Sequence, residues 1–140
     1  MTNSKVYVQG SFDILHEGHI KLLKRASKLG DLYIGVIIDR AYVRNRGYFA
    51  DQNLEERMEA IKNLNFNFIK DISPADNLLT SKYLIALKPD FVVVGSDWAE
   101  KDIYTQYDIP QSWLDERNIE LIFFPYTRGI SSTQLKNDRT

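Results

Sequence analysis

Cysteine is absent from the 140 residues, which excludes disulfides, thiolate nucleophiles and cysteine-ligated zinc and leaves the redox compartment open. An excess of charge is absent too. Eighteen basic residues stand against nineteen acidic ones, net −1, so no overall field draws the chain to nucleic acid or to an anionic membrane. Any anion site must be local. Long apolar runs are missing: "YIGVII" and "FVVVG" fall far short of the roughly 20 residues a membrane helix needs, and "MTNSKVYVQG" lacks the apolar core of a signal peptide. A soluble, cytoplasmic protein with neither a nucleic-acid nor a membrane partner is expected. No G-x-G-x-x-G or P-loop lysine motif occurs, which weakens dinucleotide and P-loop readings. Histidine is nearly absent, and the only two, His16 and His19, sit three positions apart in "FDILHEGH". That count also argues against a zinc hydrolase.

What is present suffices for one packed domain over residues 1–140, since 44% of the chain is apolar. Short β-branched runs alternate with stretches of helical period, predicting strands at Lys5–Gln9, Leu32–Ile38, Phe66–Lys70, Phe91–Val94 and Glu120–Phe124. A helix follows the first strand, with Gly30 as its C-cap. Asn53 and Glu56 form a capping-box pair ahead of "LEERMEAIKNL", and a further helix covers about 76–87. The expectation is a single α/β, Rossmann-like, doubly wound domain with a five-stranded, mainly parallel sheet. Ligands of such sheets bind beyond the carboxyl ends of the strands, where the strand order reverses.

The loops at those ends carry the unusual residues: "GSFDILHEGH", "DRAYVRNRGYFADQ", "GSDWAEKD" and "PYTRGISST". Gly10 and Gly18 allow close backbone approaches, and His19 falls in a first helical turn, which favours a bound anion. Two neutral imidazoles could donate to one phosphate; the plain alternative puts one histidine in the core and the other on the surface. Arg40, Arg44 and Arg46 suit a phosphate clamp or a merely solvated loop. Ser131, Ser132 and Thr133 suit a phosphate-gripping helix start. Trp98, Tyr104, Tyr107 and Trp113 could wall a pocket for a substrate's carbon skeleton, or pack a short helix, or build a dimer contact.

"GSFDILHEGH" resembles the G-[ST]-F-D-x-x-H-x-G-H signature of the nucleotidylyltransferase superfamily, and "GISST" resembles its second signature, G-I-S-[ST]-T. Ile14 and Leu15 resemble the cytidylyltransferase branch, and "GSDW" is similar to the G-D-D-W of the bacterial glycerol-3-phosphate cytidylyltransferases, the group the chain most resembles. The resemblance implies that an acceptor's phosphate oxygen attacks the α-phosphorus of a nucleoside triphosphate and expels pyrophosphate. His16 and His19 would bracket the triphosphate, with Arg46 and Ser132 completing the catalytic set. Gly10, Ser11, Phe12, Asp13, Gly18, Arg57, Gly95, Asp97, Arg128, Gly129, Ile130, Ser131 and Thr133 would bind nucleotide. Arg44, Trp98 and Trp113 would meet the acceptor. Mg2+ or another divalent cation would arrive with the triphosphate, and Asp13 would contact it weakly or serve only the turn. A homodimer is implied as well.

Three departures stand out. Tyr126 occupies a place where the family often has arginine, with Arg128 two residues on as a substitute. Asn65 replaces a basic residue placed near the nucleobase, unless Lys62 is its counterpart. Residues 99–118 are longer than in the short glycerol-phosphate enzymes and closer to heptose-phosphate nucleotidylyltransferases. The expected reaction joins CTP to a small phosphorylated alcohol, giving a CDP-alcohol and pyrophosphate. The alternative acceptor is a sugar phosphate or phosphonate, with another triphosphate open. From other classes, a nucleotide-binding module without activity or a purely structural protein would not need both histidines and "GISST".

Overall fold

Apolar runs and amphipathic stretches alternate as strands and helices in the computed structural model, which describes residues 3–95, 107 and 109–124. β1 (Lys5–Gly10) leads through α1 (Glu17–Ala26) to β2 (Asp31–Ile37). Next come α2 (Asp39–Arg46), α3 (Leu54–Lys62) and β3 (Ile69–Ala75). A 3-10 turn (Asn77–Leu79) and α4 (Thr80–Leu87) precede β4 (Phe91–Gly95), and α5 (Gln111–Glu116) precedes β5 (Glu120–Phe124). The order is β3-β2-β1-β4-β5, and every pairing is parallel rather than mainly so. The chain runs outward from β1 to β3, then crosses back to β4, so the strand order reverses at β1/β4 and the crevice there is the expected ligand position.

Both sheet faces are covered, which is why the central strands read as continuous apolar runs. Val6, Val8, Leu32, Ile34 and Val93 pack with Leu22 and Leu23 of α1 and Ile61 of α3. On the other face Tyr7, Val92 and Val94 pack with Leu84 of α4 and Leu114 of α5. No helix among the described residues is long and apolar enough to cross a membrane.

Three boundaries differ from the sequence reading. β3 begins at Ile69, not Phe66, because Phe66 and Phe68 stack ring on ring at 4.9 Å and the Ile69 amide closes a turn onto the Phe66 carbonyl. The strand then continues through "DISPA", poor strand residues that an edge strand tolerates, Pro74 included. Residues 39–46, read as a loop, form α2: Gly47 closes it in the left-handed conformation (φ 82°), but only Ala41 and Tyr42 are buried, so its apolar stripe is too narrow to show as periodicity. α1 ends at Ala26 with Ser27 as its cap. Gly30 is therefore not the C-cap; a β-carbon there would strike the Ser4 backbone.

Candidate active site

The geometry of the loop after β1 starts from α1. His16 is the N-cap, in extended backbone conformation, and His19 is the third helical residue. The Gly18 N–H donates to His16 Nδ1 at 3.0 Å, and the His16 N–H donates to His19 Nδ1 at 3.2 Å. This is a reciprocal capping box with imidazoles in the places usually held by serine and glutamate. The rings stack with centroids 3.8 Å apart. Since each Nδ1 accepts, the proton of each neutral ring is on Nε2. The box thus fixes the tautomer as well as the position of both rings.

His19 is 6% exposed. Burial lowers its pKa from 6.5 to about 3, helped by neighbouring His16 and opposed by Asp13. The ring is therefore neutral at physiological pH, a hydrogen-bond donor rather than a cation. The same shift sets a pH dependence of stability. Between pH 6.5 and about 3 the unfolded chain holds the proton and the native chain does not, so this contribution is complete above pH 6.5 and is lost as pH falls through that window. Urea unfolding of the wild type between pH 7 and 4 should lose up to about 1.4 kcal/mol per pH unit more steeply than His19→Gln. Equal slopes would show that His19 is not buried as a neutral ring.

The loop ahead of the box is strained and tied down. Phe12 (φ 52°) and Ile14 (φ 59°) adopt left-handed backbone without being glycine, a conformation that costs of order 1–3 kcal/mol each and concentrates at functional sites. Buried Phe12 packs over Gly10 and lies 5.4 Å from the His19 ring. The Asp13 carboxylate, 2% exposed, accepts the Asp51 and Gln52 N–H groups, both at 2.9 Å. The Gln52 side chain accepts the Ile14 N–H at 3.1 Å. This is the turn role weighed for Asp13: each of its oxygens accepts a backbone N–H. Among the described residues no group of three or more His, Asp or Glu could hold a metal ion.

Arg57 is fully buried, neither a surface charge nor, as it stands, a phosphate contact. Its guanidinium donates to the carbonyls of Ser11 (2.8 Å), Ile37 (2.7 Å) and Gln52 (3.0 Å) and to the Asp39 carboxylate (2.7 Å). Four positions at the carboxyl ends of β1 and β2 and the start of α3 are thereby fastened to one side chain, which engages four of its five N–H groups.

Arg44 and Arg46 lie in the last turn of α2. Arg44 pairs with Asp76 and donates to Asn77 Oδ1 at 3.2 Å, so it is braced against the segment after β3. Arg46 sits 5.0 Å over the Tyr42 ring. Gly95 ends β4 two residues beyond Val93, the partner of Val8 in β1. Trp113 packs on the second core cluster, as in the helix-packing alternative, with Arg117 3.9 Å over its ring. Asp97, Trp98, Arg128, Gly129, Ile130, Ser131, Ser132 and Thr133 lie outside the described residues.

The histidine box lies at the strand-order reversal. Residues 7–138 match the family described as cytidylyltransferase-like. The chain belongs to that family. It is similar to the glycerol-3-phosphate cytidylyltransferase of Bacillus subtilis (strain 168), 30% identical over 96% of this chain and 95% of the relative. It is also similar to the ethanolamine-phosphate cytidylyltransferase of Dictyostelium discoideum, 33% identical over 96% of this chain but 37% of that protein. Among solved structures, the lipopolysaccharide core biosynthesis protein from Thermoplasma volcanium GSS1 superposes with a TM-score of 0.68 at 27% identity, covering 89% of this chain and 97% of that one. The pantoate-beta-alanine ligase from Francisella tularensis (TM-score 0.64, 16% identity, 96% of this chain and 65% of that one) shares the fold alone. As a cytidylyltransferase-like protein the chain is a nucleotidylyltransferase.

Proposed function

We propose that this enzyme joins CTP to a small phosphorylated alcohol. A phosphate oxygen of the acceptor forms the new bond to the α-phosphorus, the bond to the β-phosphate bridging oxygen breaks, and pyrophosphate leaves with that electron pair. The observation that carries the reading is the imidazole pair: two stacked neutral rings, each protonated on Nε2, at the carboxyl end of the central strand. Such a transfer needs charge stabilisation and positioning more than covalent chemistry, and two N–H donors supply that without a nucleophile. The relatives named for glycerol 3-phosphate and ethanolamine phosphate support a phosphorylated alcohol as acceptor.

In this reading Arg46 holds phosphate at the end of α2, braced Arg44 faces the acceptor, and Ser131–Thr133 with Arg128 grip the triphosphate by family resemblance. The divalent cation comes with the triphosphate, in keeping with an Asp13 engaged by backbone. A sugar-phosphate acceptor is the second reading, favoured by the length of residues 99–118. Pyrophosphate release measured with CTP, ATP, GTP and UTP against each acceptor tests both. CTP should give the highest kcat/KM; a clear ATP or GTP preference would transfer the assignment to the second reading.

A further inference from the structure

Two non-glycine residues in the loop ahead of the histidine box carry left-handed backbone, and they are held there in different ways. Phe12 is fixed by its ring, which is buried in the first core cluster. Ile14, with φ 59°, is half-buried and is in none of the core clusters of the described residues. A β-branched residue rarely adopts this conformation, and core packing does not account for it at Ile14.

The hold is polar and comes from 38 positions away. The Ile14 N–H donates to Gln52 Oε1 at 3.1 Å, which also settles the orientation of the amide, since its NH2 end could not accept. Gln52 is itself anchored through its backbone: its N–H donates to Asp13 Oδ1 at 2.9 Å, and its carbonyl accepts from Arg57 Nε at 3.0 Å. Arg57 in turn holds the Ser11 carbonyl at 2.8 Å. A closed circuit from Ser11 through Arg57 and Gln52 to Ile14 therefore clamps the loop at both ends. Two residues beyond Ile14 stands His16, whose N–H must meet His19 Nδ1 to complete the box and its stacked rings. Were Ile14 to relax to the negative φ it prefers, the chain would enter the box in another direction and that bond would be lost.

Resting on the transferase reading above, we propose that Gln52 is a positioning residue of the enzyme: its side-chain oxygen keeps Ile14 left-handed and so sets the imidazole pair against the reacting triphosphate. Gln52 acts through the loop. It governs the alignment of the two Nε2–H donors in the transition state rather than the binding of the triphosphate, so its loss falls on kcat and not on KM.

The test uses the full chain with CTP and glycerol 3-phosphate. Gln52→Met, which keeps the side chain's length but offers no oxygen, should lower kcat about 10-fold while triphosphate KM stays within about 2-fold. Gln52→Asn, one methylene short, should do the same, and it stays polar should the methionine variant fail to fold. Asparagine tolerates positive φ, so in an Ile14→Asn background Gln52→Met should cost less than about 3-fold. A role in stability alone would lower the unfolding midpoint and show no such rescue. The imidazoles give a readout that needs no activity. With only two histidines in the chain, proton–nitrogen correlation spectra at about pH 8, above the usual histidine range, should show both rings protonated on Nε2 in the wild type and mixed tautomers in the Gln52 variants. An unchanged kcat in the Gln52 variants, an undiminished loss in the Ile14→Asn background, or imidazole spectra identical to wild type would overturn the positioning role. Release of no pyrophosphate by the wild type with any triphosphate and acceptor would instead overturn the transferase reading, and the spectra would still decide whether Gln52 sets the ring pair.

Discussion

Replacing His16 or His19 by alanine should lower turnover at least ~100-fold while leaving the sheet intact, equivalent to about 3 kcal/mol of lost transition-state stabilisation for each ring. The reason lies in the capping box. Both Nδ1 atoms are committed to backbone N–H groups, so what each ring offers chemistry is its Nε2–H, aligned by stacking. Alanine at position 16 also removes the helix cap, worth about 1 kcal/mol. His16→Asn separates the two effects, because asparagine caps well but cannot reproduce the imidazole donor. Its unfolding midpoint should recover to near wild type while turnover does not. Steady-state pyrophosphate release and urea unfolding on the same preparations make the comparison. Activity within a few-fold of wild type in His16→Ala or His19→Ala would remove the imidazole mechanism.

Arg57→Met should cost about 3–5 kcal/mol of folding stability, a large share of the 5–15 kcal/mol typical of a domain. Methionine fills much of the same volume but strands three carbonyls and the Asp39 carboxylate that the guanidinium now satisfies. Arg57→Lys should recover little, because a single ammonium cannot reproduce the planar fork that meets four acceptors in different directions. Urea unfolding monitored by tryptophan fluorescence reads the loss. A shift below ~1 kcal/mol would show that water or rearranged side chains replace the strut.

The histidine pair and Arg57 show what could be read before the fold was known. The histidine spacing was legible because three residues is the distance from a helix N-cap to its third position, and the glycine between them fits the same turn. The central strands were legible because burial on both faces leaves uninterrupted β-branched runs. β3 was not, because an edge strand tolerates Asp71, Ser73 and Pro74, which in isolation argue against a strand. Arg57 was read only as a nucleotide contact by resemblance, since nothing local reveals that Ser11 and Ile37, distant in sequence, turn their carbonyls toward it.

The ties between the β1 loop and residues 51–57 bear on motion. The amides of Ile14, Asp51, Gln52 and Leu54 are held by side-chain oxygens of Gln52, Asp13 and Asp39, and the last two carboxylates belong to the framework that Arg57 and the strands immobilise. Local opening of such a loop requires several part-buried bonds to break together, which sets it apart from a fraying segment. In the proposed reaction the imidazole side is therefore a fixed wall, against which substrates would dock in the shape it already has.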